Sequence, residues 1–219
     1  MSAVKQLVLD LIPPPLPTFD NFVPGRNREA WTRLREGPGP GATVLYLWGA
    51  TGSGKSHLLQ ALASAGGKYV LRQSRLADVP ADQHHHLVDD VESLDDDGQV
   101  ALFHLINRAQ AASGVVIATG SVAPRDLPLR PELASRLGSG LTFQLHPLDD
   151  REKAEALHAH ASARGFALRD EVVQYLLRHA RRDMASLVSF LDALDKYSLE
   201  TGREITLPLL REMSQPSLV

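Results

Sequence analysis

Cysteine is absent from the 219 residues. That excludes disulfides, thiol catalysis and cysteine-ligated zinc, and it accords with a reducing compartment. An excess of either charge is also lacking. The net charge is −3, so the chain as a whole is not a binder of polyanions. No long basic run and no interleaved aromatic and basic groove pattern stands out; these are what a non-specific nucleic-acid channel needs. No stretch approaches the roughly 20 apolar residues of a membrane span. The N-terminus has no apolar segment ending in a small-residue cleavage site. A cytoplasmic protein without a membrane partner is expected. The prolines Pro13, Pro14, Pro15 and Pro17 crowd one place and favour an extended path that continues neither a helix nor a central strand.

What is present begins after that arm, near Thr18. Asn27 to Arg35 reads as a helix, stopped by Gly37-Pro38-Gly39-Pro40-Gly41. Val44 to Trp48 is an apolar run of strand length, and Lys68–Leu71, His85–Asp89, Val115–Thr119 and Leu141–Leu145 are four further strand candidates. Helices are expected at Lys55 to about Ala65, Asp95–Ala112 and Pro131–Leu137. Strand alternating with helix predicts a parallel sheet covered on both faces. After Pro147 only helices follow. Asp149 and Glu152 have capping-box spacing, and Asp170 is expected to cap the next helix. A third helix from Asp183 carries Leu187, Phe190, Leu191 and Leu194 on one face, and a short fourth spans Thr206–Met213. His84-His85-His86 alternates across a strand, so the three are not expected to converge on one metal ion.

Gly49-Ala50-Thr51-Gly52-Ser53-Gly54-Lys55-Ser56 has the Gly-x-x-x-x-Gly-Lys-Ser spacing of a phosphate-binding loop, between a strand and a helix. Gly49, Gly52, Ser53 and Gly54 would let backbone N–H groups wrap a phosphate, with the following helix pointing its positive end there. Lys55 supplies a point charge for the β- and γ-phosphates, and Ser56 a hydroxyl for Mg²⁺. Asp89 and Asp90 end a strand about 35 residues later. They read either as a solvated acidic turn, given nearby Glu92, Asp95, Asp96 and Asp97, or as a working pair. In the second case Asp89 holds Mg²⁺ and Asp90 orients or deprotonates the attacking water. Asp90 is shorter than a glutamate, so slow intrinsic turnover is expected.

Thr18-Phe19-Asp20-Asn21-Phe22-Val23-Pro24-Gly25, the phosphate loop, Asp89-Asp90, Ala134-Ser135-Arg136-Leu137 and Arg181-Arg182-Asp183-Met184 together resemble the AAA+ module of the bacterial replication initiator DnaA. The chain is most similar to the short Hda family, the regulatory inactivators of DnaA. The resemblance spans nearly the whole chain, which stops where DnaA continues into its helix-turn-helix DNA-binding domain.

The resemblance implies an α/β AAA+ P-loop fold, with a parallel-sheet αβα core at 18–148 and a small helical lid at 149–219. It implies adenine nucleotide, ADP or ATP, with Mg²⁺. Phe19, Phe22 and Val23 would lie near the adenine, although a core-anchoring aromatic pair fits the same placement. His57, just after the loop, joins the nucleotide contacts. Arg182 would reach the phosphates from the lid, with Arg181 a rival. Arg136, by its residues alone a surface arginine closing a short helix, would act in trans as an arginine finger on a neighbour's nucleotide. Ser121 stands where a sensor residue is placed. Residues 1–17 would be an arm. Gln6, Leu7, Leu9 and Leu11 read equally as an edge strand or as a peptide for an apolar groove; the resemblance implies binding to the DNA polymerase III sliding clamp. The implied function is stimulation of ATP hydrolysis on DnaA at the DNA-loaded clamp, with at most weak ATPase of its own and no sequence-specific DNA contact. A nucleotide-dependent homo-oligomer is compatible. The alternative is an autonomous AAA+ ATPase of the helicase-loader or transposition-helper type.

Overall fold

Five short apolar segments pair side by side in the computed structural model of the protein, which describes residues 16–37, 39, 41–66, 70–71, 85–180 and 183–214. They are β1 (Val44–Trp48), β2 (Val70–Leu71), β3 (His85–Val88), β4 (Val115–Gly120) and β5 (Leu141–Gln144). All pairs are parallel, in the order β2-β3-β4-β1-β5. Parallel neighbours require crossovers. These run through α2 (Lys55–Gly66), α3 (Asp96–Ala111) and α4 (Pro131–Gly138), while α1 (Arg28–Glu36) precedes the sheet.

The inner strands are mostly apolar because both faces are covered, with His85 and His86 in β3 and Thr119 in β4 as the polar members. Val44 and Tyr46 of β1, Val88 of β3, and Val116 and Ala118 of β4 pack with Leu102, Leu105 and Ile106 of α3 and Leu133 and Leu137 of α4. Their neighbours Leu45, Leu47, Leu87, Val115 and Ile117 pack on the other side with Ala30 and Leu34 of α1 and Leu58 and Leu59 of α2. This is the expected αβα sandwich. Among the strands whose burial is described, β5 at the edge alternates, with Thr142 and Gln144 exposed and Leu141 and Phe143 half-buried. Of the second strand candidate, Lys68 lies outside the described residues, and His84 of the histidine run does too.

The chain divides into two units, one comprising residues 17–147 and the other taking the residues from Leu148 onward. The second unit contains α5 (Asp150–Ala163), α6 (Asp170–His179), α7 (Met184–Thr201) and α8 (Leu207–Ser214). They share their own core, centred on Leu157, Val173, Leu176, Leu187, Leu191 and Leu209. The capping box is complete: Asp149 Oδ1 accepts from Glu152 N, and Glu152 Oε2 accepts from Asp149 N, both at 2.8 Å. Asp183 opens α7 by accepting from Ser186 N at 2.9 Å.

Asp170 does not cap α6. The chain leaves the helical conformation at Arg169 (ψ 144°), which makes no side-chain cap bond, and Asp170 is already the first helical residue. Its carboxylate meets His158 Nε2 of α5 at 2.9 Å instead. An acid there still favours the positive end of the helix.

Candidate functional site

The phosphate loop leaves the C-terminal end of β1 beside β4, where Gly49 N donates to Gly120 O at 3.3 Å. It enters α2 at Lys55. Lys55 Nζ turns back and donates to Gly49 O at 2.7 Å and Ala50 O at 3.1 Å. Burial pushes the Lys55 ammonium below its usual range, against the opposing pull of Asp89, Glu92 and Asp90. Ser53 is 4% exposed and its N donates to Ala50 O at 3.2 Å. Gly54 sits at φ 97°, and a methyl there would stand 2.6 Å from the Phe22 ring. A phenyl edge therefore seals the inner side of the loop.

The acid pair is assembled from three elements. Asp89 Oδ1 accepts from Ser56 Oγ at 3.2 Å and from Thr119 Oγ1 at 2.5 Å. Thr119 Oγ1 in turn accepts from Asp90 N at 2.9 Å. Thr119 is fully buried at the end of β4, so its one hydroxyl fixes both acids against the sheet. Asp90 takes a left-handed backbone, φ 56° and ψ 68°. Such a conformation is uncommon outside glycine, least so for Asn and Asp, and strain of this kind gathers at functional sites. Burial raises the Asp90 carboxyl above its ordinary value, Glu92 and Asp89 raise it further, and Lys55 opposes them.

Glu92, which in the sequence looks like part of a solvated acidic turn, is a member of this cluster. Its Oε1 accepts from Ser121 N at 2.5 Å and Ser121 Oγ at 2.7 Å. Ser121 thus faces Glu92, and the hydroxyl that meets the acid pair belongs to Thr119. Tyr46 Oη lies beneath and donates to Val122 O at 3.0 Å. Burial, then Glu92 and Asp90, pushes the phenol above its ordinary range, so it remains a neutral donor.

The segment ahead of α1 is fastened beside the loop. Thr18 N donates to Asn21 Oδ1 at 2.8 Å and Asn21 N to Thr18 Oγ1 at 3.2 Å, an intervening turn that exposes Asp20. Trp31 Nε1 holds Phe19 O at 3.1 Å, and Phe19 packs against the core. The His57 and Phe22 rings are 5.3 Å apart, and His57 Nε2 lies 3.0 Å from Thr18 O. Burial lowers the His57 pKa, and the Thr18 bond partly offsets this. Buried Asn27 locks the arrangement by accepting from His146 N at 2.7 Å and donating to His146 O at 2.8 Å. Val23 is half-buried in the same segment.

Phe22, Gly54, Lys55, Ser56, His57, Asp89 and Asp90 are therefore one neighbourhood. Arg136 makes no described contact with it. Its guanidinium lies 5.9 Å from the centre of the Phe103 ring of α3. Arg181, Arg182, Gln6, Leu7, Leu9 and Leu11 lie outside the described residues. Thr119 and Tyr46 escape a sequence reading because they reach the acids from other strands, and Glu92 because its bond to Ser121 forms only across the chain. The signals available were a hydroxyl ending an apolar strand and a third acid two residues past Asp90.

Chemically, the loop offers backbone donors and one cation for phosphate oxygens. Ser56 and Asp89 offer only hard oxygen donors, 3.2 Å apart. That donor set suits Mg²⁺, which takes few protein ligands and completes its shell with phosphate oxygens and water.

Comparison with known proteins finds the same fold elsewhere. Residues 150–213 match a family model described as the lid domain of Hda. Domain III of the replication initiation protein DnaA from Thermotoga maritima superposes with a TM-score of 0.68 at 23% identity, over 92% of this chain and 100% of that one. AMPPCP-bound DnaA from Aquifex aeolicus gives 0.68 at 22% identity, over 88% of this chain and 68% of that one. The RuvB Holliday junction branch migration motor of Thermotoga maritima gives 0.63 at 16% identity, over 90% and 70%. These likenesses establish the fold of the DnaA and RuvB modules, and residues 150–213 are similar to the lid domain of Hda.

Proposed function

We propose that the chain is a regulator of replication initiation that promotes hydrolysis of ATP bound to DnaA while attached to the sliding clamp. The observation that carries this reading is the match of residues 150–213 to the Hda lid. Adenine nucleotide, ADP or ATP, would sit with its phosphates in the loop at Gly49–Ser56, its base near Phe19, Phe22 and Val23, and Arg182 approaching from the lid. Mg²⁺, held by Ser56 and Asp89, would neutralise phosphate charge. Lys55 would exchange its loop carbonyls for phosphate oxygens. Asp90 would orient water for the protein's own slow turnover. Gln6, Leu7, Leu9 and Leu11 would engage the clamp, which concentrates the protein where DnaA is to be inactivated. Arg136 would project into the neighbouring DnaA nucleotide, where a planar and permanently charged guanidinium stabilises charge developing on the γ-phosphate.

The test is hydrolysis of DnaA-bound ATP in the presence of this protein and DNA-loaded clamp, wild type beside Arg136→Ala. Removing an engaged finger is expected to cost about 10³-fold or more. Stimulation that survives in Arg136→Ala, or is absent in wild type, contradicts the trans-acting reading.

A second reading is supported by the assembled Ser56–Asp89–Asp90 cluster with its Thr119 clamp. Such a site fits an autonomous ATPase of the helicase-loader type. Turnover by the protein alone that rises with single-stranded DNA and falls in Asp90→Asn favours that reading.

A further inference from the structure

We propose that Phe103 is a positioning residue for Arg136, its ring orienting the guanidinium from the face of α3 and staying beside it while a neighbouring nucleotide is engaged. The proposal rests on the trans-acting reading above and names the part of this chain that prepares the finger. Three observations carry it. First, the Arg136 guanidinium carbon lies 5.9 Å from the Phe103 ring centre, inside the range of a cation–π contact. Second, no carboxylate pairs with Arg136 among the described residues, although in the same unit Arg35 pairs with Asp20, Arg125 with Asp126 and Arg130 with Asp96. Third, both partners are fixed beneath their tips. Phe103 packs against the core shared by α3 and α4, and Leu133 and Leu137 bury the inner face of α4. Ser139 N and Ser139 Oγ both donate to Arg136 O, at 3.3 and 2.8 Å.

The chemistry explains why a ring suits this place. A finger paired with a carboxylate would have to break that pair before reaching phosphate, whereas a finger free in water must be ordered from many rotamers. Arginine is among the side chains with the most rotamer entropy to lose. A ring face attracts the guanidinium weakly at an exposed site, enough to bias its direction without competing with a phosphate for the charge. The competing account is that the arginine stem merely covers an apolar ring, as long cationic side chains do. Leucine can be covered in the same way but offers no negative face.

The experiment is the clamp-dependent hydrolysis of DnaA-bound ATP with the full chain, comparing Phe103→Leu, Phe103→Tyr and Arg136→Ala. Phe103→Leu is expected to lower the maximal stimulated rate about 2- to 5-fold, in keeping with loss of a cation–π contact at an exposed site. The concentration giving half-maximal stimulation should not move, nor should the melting temperature by more than about 2 °C. Phe103→Tyr keeps the face and is expected to retain the wild-type rate. Phe103→Leu added to Arg136→Ala should have no further effect. If the leucine variant folds poorly, Phe103→Met replaces it in the same comparison. A wild-type rate in Phe103→Leu, or equal losses in the leucine and tyrosine variants, overturns the proposal while leaving the trans-acting reading intact. Undiminished stimulation by Arg136→Ala overturns both.

Discussion

Thr119 shows how one buried hydroxyl governs a site. It donates to Asp89 and accepts from Asp90 N, so Thr119→Val leaves a buried N–H and a carboxylate oxygen short of partners. A loss of about 1–3 kcal/mol is expected, seen as a lower urea midpoint, and Thr119→Ser should recover most of it. The Gly-Lys-Ser run was legible in the sequence because its spacing is local. Thr119 was not, because it meets the acids only after β3 and β4 pair, and the same pairing brings Ser121 to Glu92. Ser121 was singled out by position along the chain, yet its hydroxyl goes to Glu92. His57 adds a dependence on acidity. Its pKa is lowered from an ordinary 6.5 by burial, so the fold favours the neutral ring. Stability from this group is complete above 6.5 and is lost as pH falls towards the folded-state value. The unit holding His57 should therefore melt earlier at pH of about 5.5 than at about 7.5, and His57→Gln should flatten that difference. An unchanged slope in the variant would assign the dependence elsewhere.

Among the elements, the lid helices separate what a local motif can reveal from what it cannot. The Asp149–Glu152 box is a reciprocal pair three residues apart, and the structure forms it in full. Asp149→Ala is expected to cost about 1 kcal/mol, with faster amide exchange in the first turn of α5. Asp170 had the same residue type before an apolar run, but a cap is defined by where the backbone turns. Arg169 makes that turn. Asp170→Ala should then cost no more than the dipole contribution of about 0.3–1 kcal/mol together with the loss of His158. If the two substitutions proved equal, the distinction between a cap and a first-turn acid would not hold here. The helix faces, by contrast, followed from periodicity alone: Leu187, Leu191 and Leu194 are buried as their spacing on α7 requires, with Phe190 half-buried beside them.

At the scale of the whole molecule, each hydrophobic cluster draws on a single unit. A fragment of residues 148–219 should therefore be helical by circular dichroism and melt cooperatively, though with the narrow margin of a chain of about 70 residues. A fragment that is unfolded throughout would show that the second core needs the first. Strand and helix content could be read from apolar run lengths and breakers, but the order β2-β3-β4-β1-β5 could not, since β1 and β4 are equally apolar on both faces. That same evenness has a consequence for how the gene can vary. Shifting β4 by one residue would exchange Val116 and Ala118 for Val115 and Ile117, apolar for apolar, so the hydrophobic pattern by itself does not pin the register. Two points at its end pin it. Thr119 would leave the acids, and a side chain in place of Gly120 would stand 1.9 Å from the Tyr46 hydroxyl. Insertions and deletions in this strand are thus filtered by the two residues at its end, one holding the acids and one making room for Tyr46, rather than by oiliness.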